Sequence, residues 1–278
     1  MRPNSAGSAR RVSRMALLAV AGLTAATAVV TTGSANAATF TVPPANAKAD
    51  YQLGGAYTPP ADVRVVSRDR TAAPAAGRYN ICYVNGFQTQ AEEAAWWRAN
   101  HPDLLLRDGD GNYVEDPDWP GELILDISTE DNRTDIAEIV NGWVTGCAED
   151  GFDAVEIDNL DTFTRFTDHL QESDAVAYAE LLTEHAHAEG LAIAQKNSAE
   201  LAEQGRALGF DFAVAEECGR YDECGDYVDA YGAHVLVIEY RDQDFAKTCR
   251  EYGDTLSVVR RDRNVVGPNS SGYVYDAC

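Results

Sequence analysis

Five short apolar runs between residues 123 and 240 each stop on polar or charged residues. They read Leu123-Ile124-Leu125-Asp126, Ala154-Val155-Glu156-Ile157-Asp158-Asn159, Ala192-Ile193-Ala194-Gln195-Lys196-Asn197, Phe212-Ala213-Val214-Ala215-Glu216-Glu217 and Val235-Leu236-Val237-Ile238-Glu239-Tyr240. One such ending carries no information, because any strand leaving a sheet meets water. Helical stretches separate each run from the next, which is the pattern of strands joined by crossover helices in a parallel α/β sheet. In a parallel barrel all strands point one way, so the polar endings gather at one rim, where barrel enzymes keep their active sites. The expected fold is therefore α/β, a single (β/α)8 TIM-type barrel, with one extra N-terminal strand allowed for.

The strand set behind this expectation is Tyr51–Tyr57, Val63–Val66, Arg78–Asn85, Leu123–Ile127, Ala154–Asp158, Leu191–Gln195, Phe212–Ala215, His234–Ile238 and Leu256–Val259. Helices are expected over Glu92–Asn100, from a capping box at Ser128-Thr129-Glu130-Asp131 to Asp150, and over Asp174–Glu189 ahead of Gly190. Ser198 should cap a short helix to Leu208, and further helices should cover Asp222–Tyr231 and Gln243–Tyr252. Residues 107–121 are rich in turn formers. Asp108-Gly109-Asp110-Gly111-Asn112 invites a calcium reading, but Tyr113 and Trp119 stand where an EF-hand loop needs glycine and glutamate, so a hairpin turn is expected.

The chain has 278 residues and a formal charge of −23. Arg10, Arg11 and Arg14 precede an apolar run over residues 15–30, and Ala35-Asn36-Ala37 supplies the small-x-small pattern of a cleavage site. Residues 1–37 read as a secretory signal peptide, with Arg10-Arg11 a poorer fit to twin-arginine export. Residues 38–50 follow as a flexible arm, and 51–278 as the barrel domain of a secreted, extracellular protein. Removing the four arginines of the leader takes the charge from −23 to −27. Such a surface disfavours nucleic acid and anionic membranes as partners and attracts cations. Six cysteines, all beyond residue 37, fit disulfides in an oxidising compartment. Proximity favours Cys218 with Cys224 and Cys249 with Cys278, leaving Cys82 with Cys147, although spacing alone does not decide it. No cofactor, no metal and a monomeric state are expected.

Strand alternation puts Glu156 and Asp158 on one face, opposite Val155 and Ile157. Buried carboxylates are costly unless paired, hydrogen-bonded or used. The rim expected from the strand endings holds Asp126, Asp158, Glu216, Glu239 and Lys196, with Lys196 placed to keep a neighbouring carboxylate ionised. Paired carboxylates of differing proton affinity are what glycosidic bond cleavage requires. Tyr83, Phe87, Trp119, Phe163, Tyr221 and Tyr240 are candidates for stacking on sugar rings. There is no G-x-S-x-G elbow, no H-E-x-x-H spacing and no glycine-rich phosphate loop.

These residues resemble glycoside hydrolase family 114, the endo-α-1,4-polygalactosaminidases. The resemblance runs through Tyr51-Gln52-Leu53, Ile81-Cys82-Tyr83, Trp119-Pro120-Gly121 with Leu125-Asp126-Ile127, and Gly151 to Asn159. It continues through Lys196-Asn197, Phe212 to Cys218 with Tyr221 and Cys224, and Glu239-Tyr240. It implies a (β/α)8-type barrel that cleaves α-1,4-linked galactosamine polymer, cationic or partly acetylated, with Asp158 and Glu216 catalytic. Asp126, Glu156, Asn159, Lys196, Asn197, Tyr83, Tyr221, Glu239 and Tyr240 would then bind substrate or tune the pair. Ala215 stands where the family has Asn, Ile157 where it has Pro, and the segment after Val259 is looser than the family's ending. The first departure touches rate or specificity. It leaves room for two other readings: a non-catalytic barrel that binds aminosugar polymer, and a hydrolase of another α-linked polysaccharide.

Overall fold

The computed structural model describes residues 39–278, so the leader expected over residues 1–37 lies outside the described residues. Eight parallel strands follow one another in sheet order and curl into a nearly closed barrel: β1 Ala49–Gln52, β2 Val65–Asp69, β3 Tyr79–Asn85, β4 Ala154–Asp158, β5 Ala192–Lys196, β6 Phe212–Glu216, β7 Val235–Glu239 and β8 Ser257–Arg261. β1 and β8 meet across the seam. The expected barrel is therefore present. Its extra strand is C-terminal, not N-terminal: β9 (Tyr275–Ala277) pairs antiparallel with β8.

Alternation sorts each strand into two layers. Tyr51, Ile81, Ala154, Ala192, Ala194, Phe212, Val214, Leu236, Ile238 and Val259 fill the barrel interior. Val84, Val155, Ile157, Ile193, Ala213, Ala215, Val237 and Val258 face outward and pack under the helices. These helices are α1 (Ala94–Asn100), α2 (Glu130–Asp150), α3 (Thr162–Arg165), α4 (Glu172–Ala188), α5 (Ala202–Gly205), α6 (Cys218–Tyr221), α7 (Cys224–Tyr231) and α8 (Asp242–Tyr252). Thr129 caps α2, its side chain accepting from Asn132 N–H, and Gly151 ends it at φ 88°, a left-handed conformation that glycine adopts without cost. Gln171 and Asp174 form a reciprocal capping box that starts α4 two residues earlier than the expected Asp174.

Ala215 thus points away from the barrel mouth. It is fully buried between the sheet and the helices. Ala215 shares its face with Ala213, and Glu216 with Val214, so the departure at 215 leaves the lining of the mouth beside Glu216 unchanged.

The expected strand Leu123–Ile127 is not a barrel strand. It sits in the long excursion between β3 and α2, where Leu123, Ile124 and Leu125 form isolated antiparallel bridges to Glu115, Gln88 and Leu105. Residues 107–113 close as the expected hairpin. No helix lies between β1 and β2 or between β2 and β3. Segments from both ends of the domain cover that side instead. Arg261 is fully buried there, donating to the Val274 and Val266 carbonyls and pairing with Asp50.

Of the segment 38–50, expected as a flexible arm, the described residues 39–50 run beneath the barrel and lead into β1. Phe40 stacks on His187 at 4.6 Å, the Tyr79 hydroxyl donates to the Thr41 carbonyl, and Ala47 N–H donates to the Ser257 hydroxyl. Disulfides join Cys82–Cys147, Cys218–Cys224 and Cys249–Cys278.

Candidate active site

The C-terminal ends of the strands open into a cleft of about 640 Å³. Lys196, at the end of β5, is 2% exposed and points into its floor. Its ammonium lies 2.7 Å from Asp158 Oδ1, 3.0 Å from Glu216 Oε2 and 3.7 Å from Glu156 Oε1. Three carboxylates thus share one buried cation, an arrangement tolerated only because every member is paired and hydrogen-bonded.

The chain reverses sharply after each of these strands. Asn159, Asn197, Ser198 and Glu217 all have positive φ, at 69°, 50°, 58° and 58°. Asparagine accepts this region at little cost, whereas a glutamate there stores about 1–3 kcal/mol of backbone strain. The turns let Asn159 and Asn197 reach sideways. Asn197 Nδ2 donates to Glu216 Oε2 at 3.3 Å while its Oδ1 accepts from Glu216 N–H at 2.8 Å, which fixes Glu216 from both ends. Asn159 Nδ2 donates to Asn85 at 2.9 Å, and its N–H donates to Asp158 at 2.9 Å.

Asp158 Oδ2 also accepts from the Tyr83 hydroxyl at 2.6 Å. Burial pushes the Asp158 carboxyl up, but the Lys196 charge and the hydrogen bonds from Lys196, Tyr83 and Asn159 N–H outweigh it. The carboxyl is held below its ordinary range, ionised at neutral pH. Burial pulls the Lys196 ammonium down, and the charges of Asp158, Glu216 and Glu156 more than reverse this, leaving it well above its ordinary value. Tyr240 donates its hydroxyl to Glu216 Oε1.

Glu156 is placed as expected, on the same face as Asp158 and one layer deeper, and it is fully buried. The Tyr51 hydroxyl donates to its Oε1 and the Ser67 hydroxyl to its Oε2 at 2.9 Å. Burial raises its carboxyl to about 7, against the opposing pull of Lys196 and Tyr51. A folded-state value above the ordinary 4.5 means that the stabilising contribution is complete below about 4.5 and lost as pH rises through about 7. Glu156→Gln is therefore expected to flatten the fall in stability between these two pH values, by about 3 kcal/mol. Urea unfolding at several pH values measures it, and parallel wild-type and variant curves would rule it out.

Tyr83, Tyr221, Tyr240, Asn159, Lys196 and Asn197 all line the cleft with Asp158 and Glu216. Tyr221 is 55% exposed and stands at the lip. Two residues expected at the rim are not there. Asp126 lies in the excursion after β3, accepting from Ser128 N–H and hydroxyl and donating its own N–H to Leu104. Glu239 is fully buried on the outer face of β7, because Leu236 and Ile238 take the inner positions. Its Oε1 accepts from Gly219 N–H at 2.8 Å and from Thr248 at 3.1 Å, so it anchors the loop after β6 from behind. A side chain at Gly219 would collide with Thr248 Oγ1, which explains the glycine. Donor atoms of Cys218, Cys224 and Glu239 lie within 4.8 Å of one another, but both sulfurs are bound to each other, which unsuits the group to a metal ion. Phe87 and Phe163 are core residues, 2% and 7% exposed, and Trp119 does line the cleft.

Sequence reasoning missed Tyr51 and Ser67, whose inward parity on β1 and β2 was the available signal. It also missed Glu122, which accepts from Asn85 and Gln88 at 3.1 and 3.0 Å and is pushed up to about 7, chiefly by burial. Arg165 was passed over as well. It joins Gln88, Asn159, Asp161 and Asp116 into a second ring around the cleft.

Two carboxylates held by one lysine at the open end of a parallel barrel are an arrangement capable of acid/base chemistry. The crystal structure of Aspergillus fumigatus Ega3 in complex with galactosamine superposes with a TM-score of 0.69 at 22% identity, covering 87% of this chain and 100% of that one. The glycoside hydrolase domain of PelA from Pseudomonas aeruginosa gives a TM-score of 0.60 at 14% identity, covering 81% and 98%. No curated protein sequence matches the chain. The model of glycoside-hydrolase family GH114 matches residues 29–278, nearly the whole chain, and the protein is a glycosidase of that family.

Proposed function

We propose that this protein is a secreted, endo-acting hydrolase of α-1,4-linked galactosamine polymer that works through a covalent glycosyl-enzyme, with Asp158 as nucleophile and Glu216 as general acid and then base. The observation that carries the proposal is the shared ammonium of Lys196. Its contacts of 2.7 and 3.0 Å, end to end, keep Asp158 Oδ1 and Glu216 Oε2 at most 5.7 Å apart. Retaining glycosidases hold their carboxyls about 5–5.5 Å apart, whereas inverting ones need about 6.5–9.5 Å to admit a water. Asp158 is the carboxylate held ionised, which suits attack on the anomeric carbon as Glu216 protonates the departing oxygen. The same Glu216 then takes a proton from the water that cleaves the ester.

The substrate class rests on charge and on likeness. Nine acidic side chains line the cleft (Asp69, Asp118, Glu122, Asp158, Asp161, Glu200, Glu216, Glu217 and Glu223) against three basic ones (Arg165, Lys196 and Arg263). Unacetylated galactosamine is a cation, and galactosamine is the sugar bound in the Aspergillus structure. An open cleft at the rim suits internal cleavage. Export is supported by the leader features and by three disulfides, and no helix among the described residues is long and apolar enough to cross a membrane.

The reading is tested by incubating the mature protein with polygalactosamine and following reducing ends and fragment length. Internal cuts should shorten the chain early, with the freshly released anomeric centre in the α configuration by NMR. A β product at first turnover would remove the nucleophile role of Asp158. Tight binding without shortening would favour the non-catalytic reading, which has lost its support now that Ala215 faces away from the cleft. Cleavage confined to another α-linked polysaccharide would keep the mechanism and change the substrate.

A further inference from the structure

One basic residue of the cleft is not absorbed by the catalytic arrangement. Arg263 lies in the turn after β8, within the C-terminal segment that departs from the family pattern. Its guanidinium carbon is 5.9 Å from the Trp119 ring and 5.9 Å from the Tyr240 ring, and its Nη1 lies 3.4 Å from Glu217 Oε2. Tyr240 in turn holds Glu216. Arg263 therefore stands one residue away from the proposed acid/base, in contact range of two aromatic rings that line the cleft.

The turn that carries it is built, not loose. Val266 N–H donates to Asp262 Oδ1 at 3.0 Å, buried Arg261 donates to the Val266 carbonyl at 2.8 Å, and Gly54 N–H donates to the Val265 carbonyl. A β-carbon at Gly54 would sit 2.6 Å from that carbonyl oxygen, so the β1 loop approaches only because it carries a glycine. A guanidinium offers five N–H donors and no acceptor. The bond to Glu217 is the one hydrogen bond its side chain makes among the described residues, so most donors remain for a ligand.

The two sides of the mouth differ in charge. Sheet order puts β4 and β8 on opposite sides of an eight-stranded ring. Loops after β4, β5 and β6 bring Asp161, Glu200 and Glu223 to the cleft, and Glu200 and Glu223 have no ion-pair partner among the described residues. The β8 side brings Arg263. An ammonium-bearing sugar is attracted to the unpaired carboxylates of the first side and gains less beside Arg263, whose charge already faces Glu217. An N-acetylated sugar is neutral and presents a carbonyl that a guanidinium can bond, with its ring and methyl free to lie on Trp119 or Tyr240.

We propose that Arg263, with Trp119 and Tyr240, forms a subsite beside the cleavage point that selects an N-acetylated unit, so that the enzyme cuts partly acetylated galactosamine polymer at a defined acetylation pattern. This rests on the hydrolase reading above and adds which units the site accepts. The test uses three α-1,4-linked galactosamine oligomer sets: fully acetylated, fully deacetylated, and partly acetylated with known sequence. Fragments of the wild-type digest, sequenced by mass spectrometry, should carry an acetylated unit at one fixed position next to the new end. Arg263→Gln should lose that bias and raise the ratio of kcat/KM on deacetylated over partly acetylated oligomers roughly threefold, the scale expected of a charge that is 60% exposed. Arg64→Gln, an exposed arginine at the opposite end of the barrel, makes the same change in net charge and should leave the ratio as in wild type. Unbiased wild-type cuts, or equal ratios in Arg263→Gln and Arg64→Gln, overturn the subsite. A wild type inactive on all three sets overturns the hydrolase reading, and the subsite with it.

Discussion

Asp158→Asn and Glu216→Gln are each expected to lower kcat on galactosamine polymer by roughly 10⁴-fold, with the fold and polymer affinity retained. The size is that seen when one member of a catalytic set acting as a unit is removed, the remainder coming from binding and electrostatics. The two variants should differ in a telling way. With an activated aryl α-galactosaminide and azide, Asp158→Gly should form the β-glycosyl azide, because azide enters from the face the nucleophile has vacated. Glu216→Ala should form the α-glycosyl azide, because azide replaces water in the second step. The products separate by NMR. Wild-type rates in either amide variant would end the role assignment, and exchanged anomers would mean that the roles are exchanged.

Lys196→Met is the second large effect. The methionine fills the stem's volume but leaves Glu156, Asp158 and Glu216 crowded without their cation, two of them nearly or fully buried. Breaking a buried ionic group by removing one partner costs about 3–5 kcal/mol. The pH dependence gives the loss its signature. In the wild type Asp158 is held below its ordinary 3.8, so its stabilising contribution is present above that value and disappears as pH falls through the lowered one. Without Lys196 the carboxyls lose what opposes their burial and bind protons more tightly. The variant should therefore be weakest above neutrality and regain stability on acidification. The acidic limb of kcat/KM should also move to higher pH, because Asp158 must be ionised to attack. Denaturant midpoints and rate profiles taken across pH read both. A loss of stability that stays constant with pH would mean that Lys196 acts by packing alone.

Much of the site was legible because the rule that revealed it is local. Alternation along β4, β5 and β6 puts Asp158, Lys196 and Glu216 on one face, and parallel order brings those faces together. The same rule, applied at Glu239, would have turned it outward with Val235 and Val237. It was passed over because a charged strand end looks alike on either face. Asp126 was misplaced for a different reason. Leu123–Ile127 has the composition of a barrel strand, but its partners are Glu115, Gln88 and Leu105 of the same excursion, and antiparallel bridges within a loop leave no mark in periodicity. Glu122 was invisible because nothing nearby in the chain says that a glutamate will face Asn85. The clustering of left-handed residues after three strands is a backbone property that only Asn159 and Asn197 hinted at by residue type.

The seam between β1 and β8 bears on how the chain folds. Its bonds join residues very far apart: Ala47 to Ser257, Asp50 to Arg261, and Ala49 to Tyr275 span 210, 211 and 226 positions. The other parallel pairs join neighbours in sequence order over connections far shorter than the domain, so the rest of the sheet is free to assemble before the seam. Closure comes last, because it must overcome the entropy of a loop as long as the domain, and topologies dominated by such contacts fold slowly. Until residues 257–278 arrive, the barrel is an open sheet with two unpaired edges and its apolar interior facing water. The slow step in refolding should then be seam closure, and Cys249–Cys278, near that seam, is the bond whose formation should report it.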